Sequence, residues 1–452
     1  MLAMQDYPGG ALPWRESKSS DTSLAPLPMT LSFQGFSPST VRQLPVALQA
    51  LGVTQPVTAA LAASGDLPHD PNRLAPGRAV AALLTWGDTK IGATGTVTYN
   101  DGQRILAFGH PFMASGRASV PLAPAEIIWT LPSLSNPFKI ARIGEPIGTW
   151  HQDRLTGIEG RLGETPGGVP VSLTVKRAGR PDLRQRSFVI RDPYFTSVFA
   201  AVVMRGTLIE DLGVERDEAL ALDAVVTLAG GRQVPIRAFG PGGVAGSADG
   251  ALANELQQKL QALSRAPIDL PEIESIDLHV SSLEPDGLWT IDAARPDRLA
   301  LHAGESLQVR IALEGTRGQQ RNEVLSVRIP AGAPPGNYNV IVGSSRSVGG
   351  ETGSQWEARR RTTRNVDAYL EALGAAPPET ELSALLLTPS EGLIASGQVY
   401  PSLPSSTQLL LRGRVGGGGD LYRARWREWD RATIVLDRQI DGLARLTIEV
   451  LP

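Results

Sequence analysis

The chain has 452 residues, of which 42% are hydrophobic and 20% are charged, and its formal net charge is −3. This length suggests roughly two to four domains with ordinary hydrophobic cores. The small net charge argues against a protein built to bind nucleic acid or an anionic membrane surface. The chain contains no cysteine, which excludes disulfides, thiolate nucleophiles and cysteine-bound metals.

The N-terminal region predicts a linker followed by a helical segment. Residues 1–28 have neither the basic start nor the apolar core of a signal peptide, so the sequence as it stands predicts a chain that stays where it is made. Apolar residues then recur at mixed helical spacing over about 36–66. No apolar run approaches the 18 residues of a membrane-spanning helix, so no membrane span is expected.

Strand patterns begin at Ala79 and continue through the next 190 residues. An Asn-Asp-Gly turn at 100–102 separates two alternating segments, 94–99 and 104–108, and predicts a hairpin. A second hairpin is expected around Gly230-Gly231, and the segments 193–212 and 251–263 have helical patterns.

From about residue 266 the pattern changes to short strands of period two separated by glycine and proline. We expect an immunoglobulin-like β-sandwich over 266–350 and a C-terminal β-rich module over 351–452, with a short helix at 366–373. Arg423, Arg425 and Arg427 alternate as one face of a strand would, so a solvated face is favoured over a nucleic-acid site.

Five histidines are the candidates for proton-transfer chemistry: His69, His110, His151, His279 and His302. No two of them have a metal-ligand spacing, so no metal site is expected, and no cofactor motif is present. His110 stands apart because it follows a predicted strand and precedes Pro111, which biases it toward an extended backbone. A rigid hairpin would therefore place this imidazole at the edge of a sheet. The alternative is a structural histidine.

A series of motifs resembles the SpoIVB-type serine peptidase domain, a family first known from sporulation. The resemblance covers residues 75–180, and 180–265 more loosely. The motifs are TGTVTY at 94–99, AFGHPF at 107–112, FK at 138–139, GEPIGT at 144–149, QDR at 152–154, GIEGRLG at 157–163 and VPV at 169–171. The resemblance implies a chymotrypsin-like β-barrel over 29–265, His110 as general base, and an extracytoplasmic protein with a protein substrate or a cell-envelope partner.

The chain departs from the family at the nucleophile. The family's Met-Ser-Gly-Ser-Pro run is absent, and no nucleophile is identified. Ser115, Ser119 and Ser247 are possible replacements, but none has the strained turn signature of a nucleophile. Asp153 is a candidate acid, with an ion pair to Arg154 as the alternative. We therefore expect an incomplete barrel, truncated upstream of the histidine motif, with an unpaired edge and an exposed apolar patch near 94–109 and the first thirty residues.

Three functional hypotheses follow from these observations. The first is a peptidase-like protein, mainly β with a few helices, that is inactive in this chain. The second is a binding or scaffold protein built from β modules, and the third is one half of a split serine peptidase. Without a serine to activate, a general base provides little catalysis.

Overall fold

A computed structural model defines the fold of this mainly β protein. The structure describes residues 29–44, 48, 57–61, 67, 72–131, 138–164, 167–177, 183–190, 193–212, 218–240, 248–282, 288–315, 317–344, 347–349, 351–352, 365–374, 380–395, 398–400, 402–404, 406–407 and 422–452. The predicted linker 1–28 therefore lies outside the described residues, as do His69 and Ser247. No helix among the described residues is long and apolar enough to cross a membrane.

Among the described residues up to 282, the chain forms one large sheet and three helices. Its strands are β1 (Met29–Gln34), β2 (Val57–Leu61), β3 (Ala79–Gly87), β4 (Lys90–Asn100), β5 (Arg104–Ala107), β6 (Gly116–Leu131), β7 (Phe138–Ile143), β8 (Gly148–Arg154), β9 (Gly157–Leu162), β10 (Val169–Lys176), β11 (Leu183–Ile190), β12 (Leu220–Leu228), β13 (Arg232–Gly240) and β14 (Ile273–Ser282). The helices are α1 (Pro38–Val41), α2 (Pro193–Leu212) and α3 (Ala248–Ser264).

Six strands of this sheet close into a barrel. They follow the order β3-β6-β8-β9-β5-β4, and β4 pairs again with β3, so each strand has a neighbour on both sides. The hairpin formed by β4 and β5 is paired on its outer edges with β3, β1 and β9. The expectation of an incomplete barrel with an unpaired edge near 94–109 was therefore wrong, because strand pairing around the ring already satisfies the backbone of this hairpin.

The barrel interior is filled by side chains that alternate inward along all six strands. Trp150 on β8 is 1% exposed and its indole N–H donates to the carbonyl of Ala81 at 3.1 Å. The buried residues of this interior are Val80, Ala82, Val97, Ile105, Ala107, Val120, Leu122, Trp150 and Ile158. A small barrel of this kind is a packed core rather than a channel.

The same sheet extends beyond the barrel in two directions. β11 pairs with the end of β3, and the order continues through β10, β14 and β12 to β13. Helices α2 and α3 pack against each other and against these strands, forming the largest apolar core. On the other side β1 pairs with β4, and β2 pairs in parallel with β1.

A two-sheet sandwich forms the remainder of the described chain. One sheet has the order β18-β17-β15-β23 and the other β16-β24-β19-β20-β21, with β22 beside β20. These strands are β15 (Leu288–Pro296), β16 (Ala300–His302), β17 (Ser306–Gly315), β18 (Gln320–Arg328), β19 (Gly336–Ser344), β20 (Glu381–Ala395), β21 (Gln398–Tyr400), β22 (Tyr422–Val435), β23 (Gln439–Asp441) and β24 (Leu443–Leu451). Helix α4 (Val366–Gly374) lies between β19 and β20 in the sequence.

The sandwich combines strands from both sides of residue 350. β19 pairs with β20 and with β24, and β15 pairs with β23, so residues of 266–350 and 351–452 share both sheets. Their side chains also share one core, in which Val340 and Val342 lie with Leu382 and Ile448. Two of the expected modules are thus joined into one packed unit.

Several local predictions were confirmed. The hairpins at 94–107 and 220–240 form, and the helical patterns at 193–212, 251–263 and 366–373 fall on α2, α3 and α4. In the described part of 36–66, α1 and the residues Leu44 and Leu48 are helical as expected, whereas 57–61 form strand β2. Arg423 and Arg425 are exposed on β22, where they flank the buried Ala424, as a solvated face requires.

Candidate functional site

His110 lies in a loop of unusual backbone conformation between β5 and β6. Two residues of this loop, Phe108 at φ 74° and Ala114 at φ 54°, are the non-glycine residues with positive φ among the described residues. Gly109, directly before the histidine, has φ 70°. A side-chain-bearing residue in this region is uncommon and costs of order 1 kcal/mol or more, so surrounding contacts must stabilise the loop.

Asp153 provides those contacts. Pairing of β6 with β8 places Gly116, the first residue of β6, opposite Asp153, so its carboxylate lies beside the loop. The side chain is 3% exposed, and its oxygens accept the backbone N–H groups of Phe112 at 2.8 Å, Met113 at 2.7 Å and Ser115 at 3.2 Å. A buried carboxylate is stable when hydrogen bonds replace its hydration, and these bonds fix the loop on the barrel.

The His110 imidazole is exposed on this fixed loop. Its Nδ1 lies 2.8 Å from the carbonyl oxygen of Pro111, and because a carbonyl only accepts, Nδ1 carries the hydrogen in this contact. In the neutral ring Nε2 is then the basic nitrogen. The Phe108 ring meets the imidazole edge to face at a centroid distance of 5.6 Å. A backbone carbonyl therefore fixes the orientation of the ring and leaves Nε2 without the hydrogen.

The structure places Asp153 near His110 in the fold but gives it a different contact set from that of a triad acid. Its oxygens bind the loop backbone and the Ser115 hydroxyl, which donates to Oδ2 at 3.2 Å. Arg154, the alternative partner considered from the sequence, donates from Nε to the side-chain oxygen of Gln152 at 3.0 Å. The contacts of Asp153 among the described residues are those of a residue that positions the loop.

The serines weighed as nucleophiles occupy other positions. Ser115 uses its hydroxyl on Asp153, and Ser119 is exposed on β6. Among the described residues, the side-chain hydrogen bond of His110 is the one to Pro111. The described part of the chain therefore brings His110 and its loop together, and it brings no serine hydroxyl into hydrogen bonding with the imidazole.

The other described histidines lie apart from this loop. His151 on β8 pairs with Glu164 at 2.5 Å between Nε2 and a carboxylate oxygen. His302 on β16 contacts the Pro452 carbonyl through Nδ1 at 3.0 Å, and His279 lies on β14. No group of three or more His, Asp or Glu side chains within the described ranges is arranged to hold a metal ion.

A cavity of about 360 Å³ adjoins the His110 loop, and sequence reasoning did not find it. Its lining residues are Thr98, Arg104, Leu106, Ala107, Gly109, Gln152, Arg154, Thr156, Gly157, Ile158 and Glu159. They come from four barrel strands and from the turn between β8 and β9. Several of them belong to the QDR and GIEGRLG motifs, but only the closed barrel shows that these segments border one depression.

Comparisons with known proteins give no further guide. No protein-family model matches the chain, and neither a curated protein nor a solved structure shows significant similarity to it. What the chain establishes by itself is a closed six-stranded β-barrel that holds an exposed, oriented imidazole on a strained loop next to a cavity.

Proposed function

We propose that the barrel is a SpoIVB-type serine-peptidase-like domain with a chymotrypsin-like architecture, and that this chain alone does not hydrolyse peptides. Two observations support the family proposal beyond the motifs themselves. The barrel has six closed antiparallel strands, and His110 follows the end of a barrel strand on a loop whose backbone is fixed by a buried carboxylate.

The surroundings of His110 carry the proposal of inactivity. The imidazole is exposed and its Nδ1 hydrogen is directed to Pro111, so Nε2 is the nitrogen that would accept a proton. Of the nearby serine hydroxyls, that of Ser115 is bound to Asp153. In a serine peptidase the imidazole acts by removing the proton of one particular hydroxyl. Without that hydroxyl, the acyl-enzyme route and most of the rate of hydrolysis are lost.

Covalent labelling with a serine-directed phosphonate tests this proposal. We expect no labelling of the chain by itself, because no hydroxyl is activated. Labelling of a single residue that disappears in His110→Ala would overturn the proposal. His302→Ala is the matched control, since His302 is also exposed and its Nδ1 also contacts a main-chain oxygen, that of Pro452.

The split-enzyme hypothesis is tested by adding a serine-bearing fragment in trans. His110 would then be the base of a site completed by a second polypeptide, and labelling of the added serine should require His110. In that case the chain alone remains inactive, as proposed, and its barrel contributes the general base.

A binding function is the second candidate, and exposed apolar side chains of the barrel favour it. Ile128 and Trp129, on the β6–β7 hairpin, are 49% and 61% exposed. Exposed aromatic residues of this kind are typical of interaction surfaces. If the protein is a scaffold for an envelope partner, Trp129→Ser should lose binding to envelope fractions and His110→Ala should keep it. Tyr400→Ser, in the sandwich, is the control and should also keep it.

A further inference from the structure

The cavity beside the His110 loop lies on the outer face of the barrel. Along β5, Ile105 and Ala107 point into the barrel core, so Arg104 and Leu106 face outward toward the cavity. Along β9, Ile158 is in the core and Glu159 faces outward, directly opposite Leu106 in the pairing of β5 with β9. Strand alternation therefore gives the cavity a charged rim around an apolar side chain.

Two glycines, Gly109 and Gly157, line the cavity where β5 and β9 meet. Gly157 has φ +146°, and a Cβ there would lie 2.9 Å from the carbonyl oxygen of Ala107. Only glycine allows the start of β9 to approach the end of β5 this closely. Gly109, whose backbone nitrogen would lie 3.5 Å from a Cβ at Gly157, also lacks a side chain, so the cavity reaches the backbone directly before His110.

The charges of the lining do not balance. Arg104 and Glu159 form an ion pair at 3.1 Å between Nε and a carboxylate oxygen. The side-chain bond of Arg154 among the described residues goes from Nε to the neutral Gln152. With two arginines and one glutamate, the lining carries a net charge of about +1 at neutral pH. Within the described part of the chain, Arg154 is the lining arginine that has no carboxylate partner.

An apolar side chain adjoins this cation. Leu155, in the turn between β8 and β9, is 80% exposed and lies between Arg154 and Thr156, which both line the cavity. An exposed leucine beside an arginine whose partner is neutral provides two kinds of contact next to each other. A peptide with an acidic and an apolar side chain complements both, whereas a free inorganic anion complements only the cation.

We propose that the cavity binds a peptide segment through the carboxylate of an acidic side chain, with Arg154 as the cationic contact and Leu155 packing on an adjacent apolar residue. A guanidinium presents a planar fork of N–H donors that matches a carboxylate, and Arg154 has donors beyond the Nε used on Gln152. This inference does not depend on catalysis at His110.

Binding of a capped peptide with one glutamate beside one leucine in an alanine background, measured by fluorescence anisotropy with an uncharged dye, tests the proposal. The wild-type chain is expected to bind this peptide about fivefold more tightly than the glutamine counterpart, the upper range of an exposed ion pair. Arg154→Gln removes this preference. Arg310→Gln, at an exposed arginine on sandwich strand β17, keeps it.

A second variant separates the cavity from general surface charge. Thr156→Trp places a large side chain at an exposed position of the cavity wall and is expected to weaken binding of the glutamate peptide without unfolding the barrel. Equal binding of the two peptides, or equal losses in Arg154→Gln and Arg310→Gln, would overturn the proposal. Glutarate binding as tightly as the peptide would overturn the assignment to a peptide.

The same measurement on His110→Ala keeps this inference separate from the proposed function. The preference for glutamate is expected to persist in that variant, because Arg154 and Leu155 do not contact the imidazole through any described hydrogen bond. Loss of the preference in His110→Ala, with retained folding, would overturn the assignment to Arg154.

Discussion

The barrel is antiparallel throughout and the sandwich is mostly antiparallel, but the two regions differ in the polar side chains that they bury. In the barrel Asp153 and Lys90 are 3% and 7% exposed. Among the described residues of the sandwich, the buried polar side chains are those of Ser344 and Ser383. Burying a charged group is costly unless specific bonds compensate it, so each buried charge marks a place where the barrel supplies such bonds.

Backbone conformation separates the two regions in the same way. In the sandwich the described residues with positive φ are glycines, such as Gly304 and Gly336. In the barrel Phe108 and Ala114 adopt this conformation on either side of His110. Strain of this kind persists only where neighbouring contacts hold it, and it is concentrated at functional sites. The comparison therefore supports placing the candidate site in the barrel.

The strongest test of this comparison removes the buried carboxylate. In Asp153→Ala, three backbone N–H groups lose their acceptor, of which that of Met113 is buried and the other two are part-buried. We expect a loss of about 3 kcal/mol in the free energy of unfolding of the barrel, since an unsatisfied buried donor costs about 1–3 kcal/mol and a partly exposed one less. Urea denaturation measures this loss, and amide hydrogen exchange should show faster exchange at 112–115.

Asp223→Ala is the matched control for Asp153→Ala. Asp223 lies on β12, is 72% exposed on its side chain and pairs with Arg237 at 3.4 Å. Exposed ion pairs contribute about 0–1 kcal/mol, so this variant should change stability little. A similar small loss in both variants would contradict the view that one carboxylate holds the His110 loop.

The second test changes the contact between strand β4 and the His110 loop. Gly95 on β4 faces the Phe108 ring, and a Cβ at this position would lie 2.3 Å from a ring carbon. Gly95→Ala must therefore displace Phe108 and, through the edge-to-face contact, the His110 ring. We expect a destabilisation of about 2 kcal/mol, typical of overpacking, together with a change in the NMR chemical shifts of the imidazole.

Gly167→Ala controls for the loss of a glycine as such. A Cβ at Gly167 meets nothing within 4 Å, and this glycine lies outside the positive-φ region. An unchanged His110 imidazole in Gly95→Ala would show that Phe108 does not transmit the position of β4 to the loop.

Local features of this fold were predictable from the sequence, and long-range ones were not. The Asn100-Asp101-Gly102 turn and the apolar pattern of α2 are signals contained in a few adjacent residues, and both structures formed as expected. Closure of the barrel depends on pairing of β3 with both β4 and β6, which no local pattern encodes. The expected unpaired edge was therefore wrong.

The candidate site likewise combines a feature that adjacent residues predict with features that depend on strand pairing. His110 could be selected because its neighbours Gly109 and Pro111 constrain its backbone in sequence. The contacts of Asp153 with residues about 40 positions earlier, and the cavity at Arg154, result from strand register. The sharing of two sheets by strands on both sides of residue 350 is likewise a matter of pairing between distant segments.

The smallest expected effect is on stability at acidic pH. It involves one aspartate in a turn of the barrel and one in a turn of the sandwich. In the barrel hairpin, the backbone N–H groups of Arg104 and then Gln103 lower the pKa of Asp101 below its ordinary value of 3.8. In the sandwich, the pKa of Asp437 is lowered chiefly by the hydrogen bond from the Trp289 indole. Both carboxylates therefore favour the folded state when they are ionised.

A lowered pKa in the folded state fixes the sign of the pH effect. The stabilisation from Asp101 is complete above the unfolded-state pKa and is lost as the pH falls below about 4 toward the folded-state value. Asp101→Asn keeps an acceptor in the turn but does not titrate, so the urea midpoint of the barrel should fall less between pH 5 and pH 3 than in the wild type. Asp437→Asn should leave the acid response of the barrel unchanged and reduce that of the sandwich. An identical acid response of the barrel in wild type and Asp101→Asn would show that ionisation of this turn does not stabilise the hairpin preceding His110.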